Sequence, residues 1–321
     1  MKPSKIRYVL SSFFLVAVLF IFGMYLYARS DQLARLFQFS ALMIVFLALV
    51  NVASALTRGL TNTCFYRSLN VPLSIREGTG LSVLNTLGNQ LPFSGGFLAK
   101  GIYLKRKHKL AYTRNLPATT ALYVCSVGVN GLAGLGGLAW LAVFGTTHIP
   151  ILLLLGFFAM TATVIALWLP FRGLKVPARW RQRLDQAIEG WQSLSQNRVL
   201  VIQVVVLHLT GTLLTAAALF LAFRMLSQDA RFVHCVLFSS SSILTRLVTV
   251  VPGGIGIREG IVAAVSAAFG FDFGVSAVAV GIDRIMVILV AMVLGGLYTL
   301  LFARNLTSRA VQPDGPSHTG P

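Results

Sequence analysis

Five ionisable residues stand inside or beside long apolar runs of this 321-residue chain: Arg246, Arg258, Glu259, Asp283 and Arg284. On insertion scales a charge at the bilayer centre costs about 2.5–3.5 kcal/mol, so four left alone would cost on the order of 10 kcal/mol. They must face one another, water or a ligand. Three cations against two anions leave one positive charge over after pairing, which suits an anion. Between them lie Pro252, Gly253, Gly254 and Gly256. Glycines let the backbone approach a ligand closely, and a helix starting near Ile257 would aim its N-terminal amide dipoles into the same space. A phosphate would fit there. A second reading is structural: Arg246 with Glu259, and Arg284 with Asp283 or another partner, would be ion pairs that hold the segment in place.

A similar break occurs earlier. Asn85, Asn89, Gln90, Pro92, Gly95, Gly96 and Lys100 surround it without an acid, so it reads as a weaker, cationic copy. Both sets are expected to line a substrate site. Arg76 and Glu77, just upstream, read as a solvated hinge. His208, near Thr210, Thr212 and Thr215, could relay a proton or simply bond to a neighbouring helix. The Lys105–Lys109 cluster suits an inside-facing patch that meets lipid headgroups. There is no HExxH, nucleophile elbow, P-loop or metal-binding aspartate pair in the sequence. No metal, cofactor or catalytic residue is expected, and the chain reads as a transporter more than an enzyme. Cys64, Cys125 and Cys235 lack metal-ligand spacing and read as buried thiols.

The elements that must position these residues are membrane helices. Only 11% of residues are charged, 56% are apolar and the mean hydropathy is +0.77, which excludes an ordinary soluble protein. The formal charge of +18 then belongs to loops beside a membrane, and nucleic acid is not expected as a partner. Apolar runs predict six full spans, at 8–28, 39–66, 116–144 (broken by glycines), 149–169, 199–223 and 275–302. Two further stretches, 74–104 and 232–269, are cut by Pro92 and Pro252 and read as re-entrant hairpins, because open backbone at membrane depth needs protein or a wet cavity around it. Placing the N-terminus inside puts 20 basic residues on inner segments and four on outer ones. Both termini are then cytoplasmic.

The chain is thus expected to be an all-α integral membrane protein: one polytopic domain over 1–303 and a disordered cytoplasmic tail over 304–321. Within it, units 39–145 and 199–303 each run span, hairpin, span. Three crossings separate them, so they are oppositely oriented, the inverted-repeat plan of secondary transporters. Gly101 to Gly137 and Gly260 to Gly296 repeat the same spacing. Between the units, Trp180, Leu184, Ile188, Trp191 and Leu194 share one face of an interfacial helix over 177–196.

The segment VPGGIGIREG, from Val251 to Gly260, with Asp283-Arg284 in the next span, resembles the lysylphosphatidylglycerol synthase transmembrane-region family. The earlier LGNQLPFSGGFLAKG resembles that family's first hairpin. The resemblance covers about Leu10 to Phe302. It implies lipid handling, as in the flippase-like membrane half of multiple peptide resistance factor, with Pro252, Gly253, Gly254, Gly256, Arg258, Glu259 and Arg284 as the functional set. Many relatives carry an acid after the first break where this chain has Ala99-Lys100, so no acid role transfers to that half. The aminoacyl-transferase domain of the full synthases is absent from this sequence. The expectation is a flippase-like transporter in a bacterial or archaeal inner membrane, moving an anionic phospholipid or a polyprenyl-phosphate-linked headgroup for envelope lipid or glycan assembly. The rivals are a membrane transferase acting on a lipid-linked sugar and a non-transporting subunit bound to envelope-synthesis enzymes.

Overall fold

The computed structural model describes residues 41–89, 95–110, 112–145, 149–166, 196–247 and 256–310. The span expected at 8–28, nearly all of the interfacial helix, Gln90, Pro92, Pro252, Gly253, Gly254 and residues 311–321 lie outside that range, as does the side chain of Arg246.

Among the described residues the chain is helical throughout: α1 Ala41–Ser68, α2 Ile75–Gly88, α3 Gly95–His108, α4 Tyr112–Phe144, α5 Ile151–Ala166, α6 Arg198–Met225, α7 Phe232–Ser242, α8 Ile257–Ala267 and α9 Phe273–Ala310. A 3₁₀ turn, Ile243–Leu247, extends α7. Four of the helices, α1, α4, α6 and α9, are long and apolar enough to cross a membrane. The described part of α5, 16 residues, covers roughly 24 Å. α9 carries on through 304–310, where composition placed the start of the tail.

The outward faces behave as though lipid were the solvent. On α6, Val199, Ile202, Val206, Leu209 and Leu213 form an exposed apolar stripe, while Leu200, Val204, Ala216 and Leu219 turn inward. Ile285, Leu289, Met292, Val293 and Leu297 do the same on α9.

α1 and α6 pack along their lengths and run antiparallel. Leu47, early in α1, shares a core with Ala218 and Met225, late in α6; Phe65, late in α1, shares one with Leu200 and Val204, early in α6. Three further kinds of pair occur twice: α1 on α2 as α6 on α7, α2 on α3 as α7 on α8, and α4 on α6 as α9 on α1, whereas α4 on α5 and α6 on α9 have no counterpart of comparable extent among the described residues. Each half also sends its last helix onto the other half's second, α9 onto α2 and α4 onto α7. Two hydrogen bonds follow the same pattern. Asn51 of α1 donates to Asp283 of α9 at 3.4 Å, and Thr212 of α6 donates to Asn130 of α4 at 3.2 Å.

Glycine sets how closely these helices approach. A Cβ on Gly59 would stand 2.6 Å from the Thr79 Cα, and one on Gly78 would stand 2.5 Å from the Gly59 carbonyl, so α1 and α2 touch backbone to backbone. Gly128, Gly131 and Gly134 do not break α4. They form the seam that takes Val164, Thr161 and Phe157 of α5.

Candidate functional site

α8 starts where the glycines end. Gly256 is its N-cap at φ 80°, a left-handed backbone that suits glycine. The Gly256 amide donates to Glu259 Oε2 at 2.8 Å, so the chain's own carboxylate takes this amide at the helix start. The sequence reading offered the amides at this helix start to a phosphate.

Residues 258 and 259 then pair crosswise with 283 and 284. Arg258 Nη2 meets Asp283 Oδ2 at 2.8 Å, and Arg284 Nη1 meets Glu259 Oε1 at 2.7 Å. The charge order is Arg-Glu on α8 and Asp-Arg on α9, so pairing 258 with 283 and 259 with 284 brings unlike charges together twice. Asp283 is only 1% exposed and also accepts from Asn51. The arginine side chains keep slightly more access, 19% for Arg258 and 12% for Arg284. Of the partners left open for Arg284, Asp283 or another, the structure shows Glu259, the acid that the structural reading gave to Arg246, whose side chain lies outside the described residues. The four charges sum to zero.

The first half differs. Gly96 packs on Asn85 and Asn89: its Cβ would stand 2.3 Å from the Asn85 carbonyl oxygen and 2.8 Å from Asn89 Oδ1. Gly95 opens α3. The Lys100 side chain finds its partners on α1, not with Asn85 and Asn89. Its Nζ donates to Asn62 Oδ1 at 2.9 Å and sits 4.8 Å over the Tyr66 ring. The Tyr66 hydroxyl in turn donates to Asn115 Oδ1 at 2.7 Å.

Glu77 is not a solvated hinge. Arg76 is exposed, but Glu77 is buried: it closes a capping box with Ser74 and accepts from Tyr103 and Lys107 at the far end of α3. Burial alone would raise its carboxyl. The hydrogen bonds from Lys107, the Ser74 amide and Tyr103 outweigh that and lower it from 4.5 to about 2. His208 is half-buried, with its carbonyl taken by the Thr212 hydroxyl. Cys125 and Cys235 are buried, as expected, and Cys64 is half-buried. No group of metal-binding side chains occurs among the described residues.

Sequence reasoning passed over Asn51, Asn62, Tyr66, Asn115 and Asn130, each facing a polar partner inside the bundle. The four asparagines carried a signal: an amide inside an apolar helix is costly unless it has a partner.

The fold and this buried charge cluster define a multi-pass helical membrane protein. More particularly, the chain belongs to the lysylphosphatidylglycerol synthase TM region family, whose model matches residues 6–295. No curated protein and no solved structure matches the chain. Family membership gives a membrane-lipid-related function.

Proposed function

We propose that the protein is a flippase-like transporter of lipids with anionic, phosphate-bearing headgroups, embedded in the inner membrane with its Lys105–Lys109 end facing the cytoplasm. The observation that carries this reading is the pair of salt bridges between α8 and α9, Arg258–Asp283 and Glu259–Arg284, with Asp283 also held by Asn51 of α1. Charges held at membrane depth mark pathways for polar cargo. The antiparallel run of α1 against α6 and the repeated pairing of helices support an inverted repeat, with the proline–glycine segments as re-entrant hairpins at its interface.

The cluster is neutral, so a headgroup phosphate binds by exchange. It takes Arg258 or Arg284 from a carboxylate, with Arg246 as a further cation. Asp283 and Glu259 orient the arginines until that exchange. The two halves then rock to expose the headgroup to the other leaflet while the tails stay in lipid.

Reconstituted vesicles test this with a fluorescent headgroup-labelled phospholipid. The wild-type protein is expected to move it between leaflets, and Arg258→Ala to slow that transfer by about ten- to a hundredfold, the value of a charge-assisted contact. Equal translocation by both proteins removes Arg258 from the pathway. No translocation by either removes transport, and a covalently altered lipid in the extract points instead to a transferase.

A further inference from the structure

We propose that the first half holds a separate phosphate-binding subsite, built on Lys100 and Asn115 and facing the end of the bundle that carries Lys105–Lys109. It rests on the reading of the protein as a handler of anionic lipids, but not on the crossed salt bridges.

Lys100 is only 6% exposed, and its ammonium has three N–H donors. One goes to Asn62 and the Tyr66 ring lies beneath. Every described acid is engaged elsewhere. Glu77 serves Ser74, Tyr103 and Lys107; Asp229 pairs with Arg224; Glu259 and Asp283 hold the crossed arginines; Asp272 caps Val275. Lys100 is therefore a nearly buried cation with no carboxylate partner among the described residues.

Asn115, 1% exposed, lies on the same tyrosine. Its Oδ1 is taken by the Tyr66 hydroxyl, while its Nδ2 is buried and has no hydrogen-bond partner among the described residues. What remains open around Tyr66 is thus ammonium and amide N–H, donors with one positive charge. That set selects an anion rich in acceptor oxygens, and a phosphate meets it. A bound anion would also offset the cost of burying Lys100 unpaired.

The position fits capture from one leaflet. Tyr66 is within a turn of the end of α1, and Asn115 is in the first turn of α4. Half-buried Asn62 and Thr119 border the cluster. Lys105, Arg106 and Lys109, all exposed, lie at that same end of the molecule and would concentrate anionic headgroups there.

The test is equilibrium binding to the purified full chain, using dioctanoylphosphatidylglycerol, uncharged dioctanoylglycerol and inorganic phosphate as probes. Lys100→Gln is expected to weaken phosphatidylglycerol binding about ten- to a hundredfold and to leave dioctanoylglycerol unchanged. Lys100→Arg should retain more affinity than Lys100→Gln. Asn115→Asp, which keeps the side-chain shape and hands Lys100 an internal carboxylate, should weaken phosphatidylglycerol in the same way and reports even if Lys100→Gln does not fold. Displacement of the lipid by inorganic phosphate assigns the site to the phosphate group alone; failure to displace assigns it to the whole lipid. Wild-type affinity in both Lys100→Gln and Asn115→Asp, or equal loss for both lipids, overturns the proposal. Binding is read without translocation, so a protein that binds through Lys100 yet moves no lipid would overturn the transport reading and leave this subsite standing.

Discussion

At the scale of single residues, each buried charge depends on its partner. Arg258→Met leaves Asp283 buried without its cation, and removing one member of a buried pair costs about 3–5 kcal/mol. Arg258→Met combined with Asp283→Leu leaves no charge behind, so the double variant should unfold at a higher temperature than Arg258→Met alone. Thermal unfolding in detergent checks this, and additive losses would mean the two residues do not form a working pair. Glu77 gives a pH prediction. Its carboxyl lies at about 2 in the folded protein against 4.5 ordinarily, so its contribution is whole above 4.5 and disappears as pH falls toward 2. Between pH 6 and pH 3 the wild-type melting temperature should fall more than that of Glu77→Gln; parallel curves would show that Glu77 carries none of the acid sensitivity.

At the scale of elements, helix contact here depends on absent side chains. Between α1 and α2 the obstacle to a larger residue is backbone, Thr79 Cα against Gly59 and the Gly59 carbonyl against Gly78, so no rotamer change relieves it. Gly78→Val should cost about 1–3 kcal/mol or more through forced separation of the helices. Gly156→Val is the control, since a Cβ there meets nothing within 4 Å. A folded yield or melting point lowered equally by both would contradict this account. Periodicity could not assign these roles. In α4, Gly128, Gly131 and Gly134 looked like interruptions because a glycine that breaks a helix and one that admits a neighbour are the same letter, and only the position of α5 distinguishes them.

At the scale of the whole molecule, the two halves give a topology prediction. With the native cysteines replaced, Arg106→Cys and Ser227→Cys place thiols at exposed positions, one at the end of α3 and one after α6. A membrane-impermeant thiol reagent applied to intact cells should label Ser227→Cys and spare Arg106→Cys until the cells are opened. Labelling of both from outside would contradict the orientation read from the basic residues. The class of the fold was legible beforehand, since length, apolar runs and scarce charge leave few alternatives to a helical membrane bundle. The family was legible too, through VPGGIGIREG and Asp283-Arg284. The site proposed in the first half was only half legible: Lys100 stood out as a cation without an acid, but its partners Asn62 and Tyr66 lie on α1, and Asn115, bonded to Tyr66, lies on α4.

The sequence by itself determined that this chain is a helical membrane protein, and that Arg258, Glu259, Asp283 and Arg284 must satisfy one another or a ligand, because bilayer solvation penalises every unpartnered charge. Only the tertiary structure decided who pairs with whom. Which of two adjacent acids an arginine reaches depends on the register of α8 against α9, and that register is set by packing between surfaces far apart in the chain, which no local pattern records.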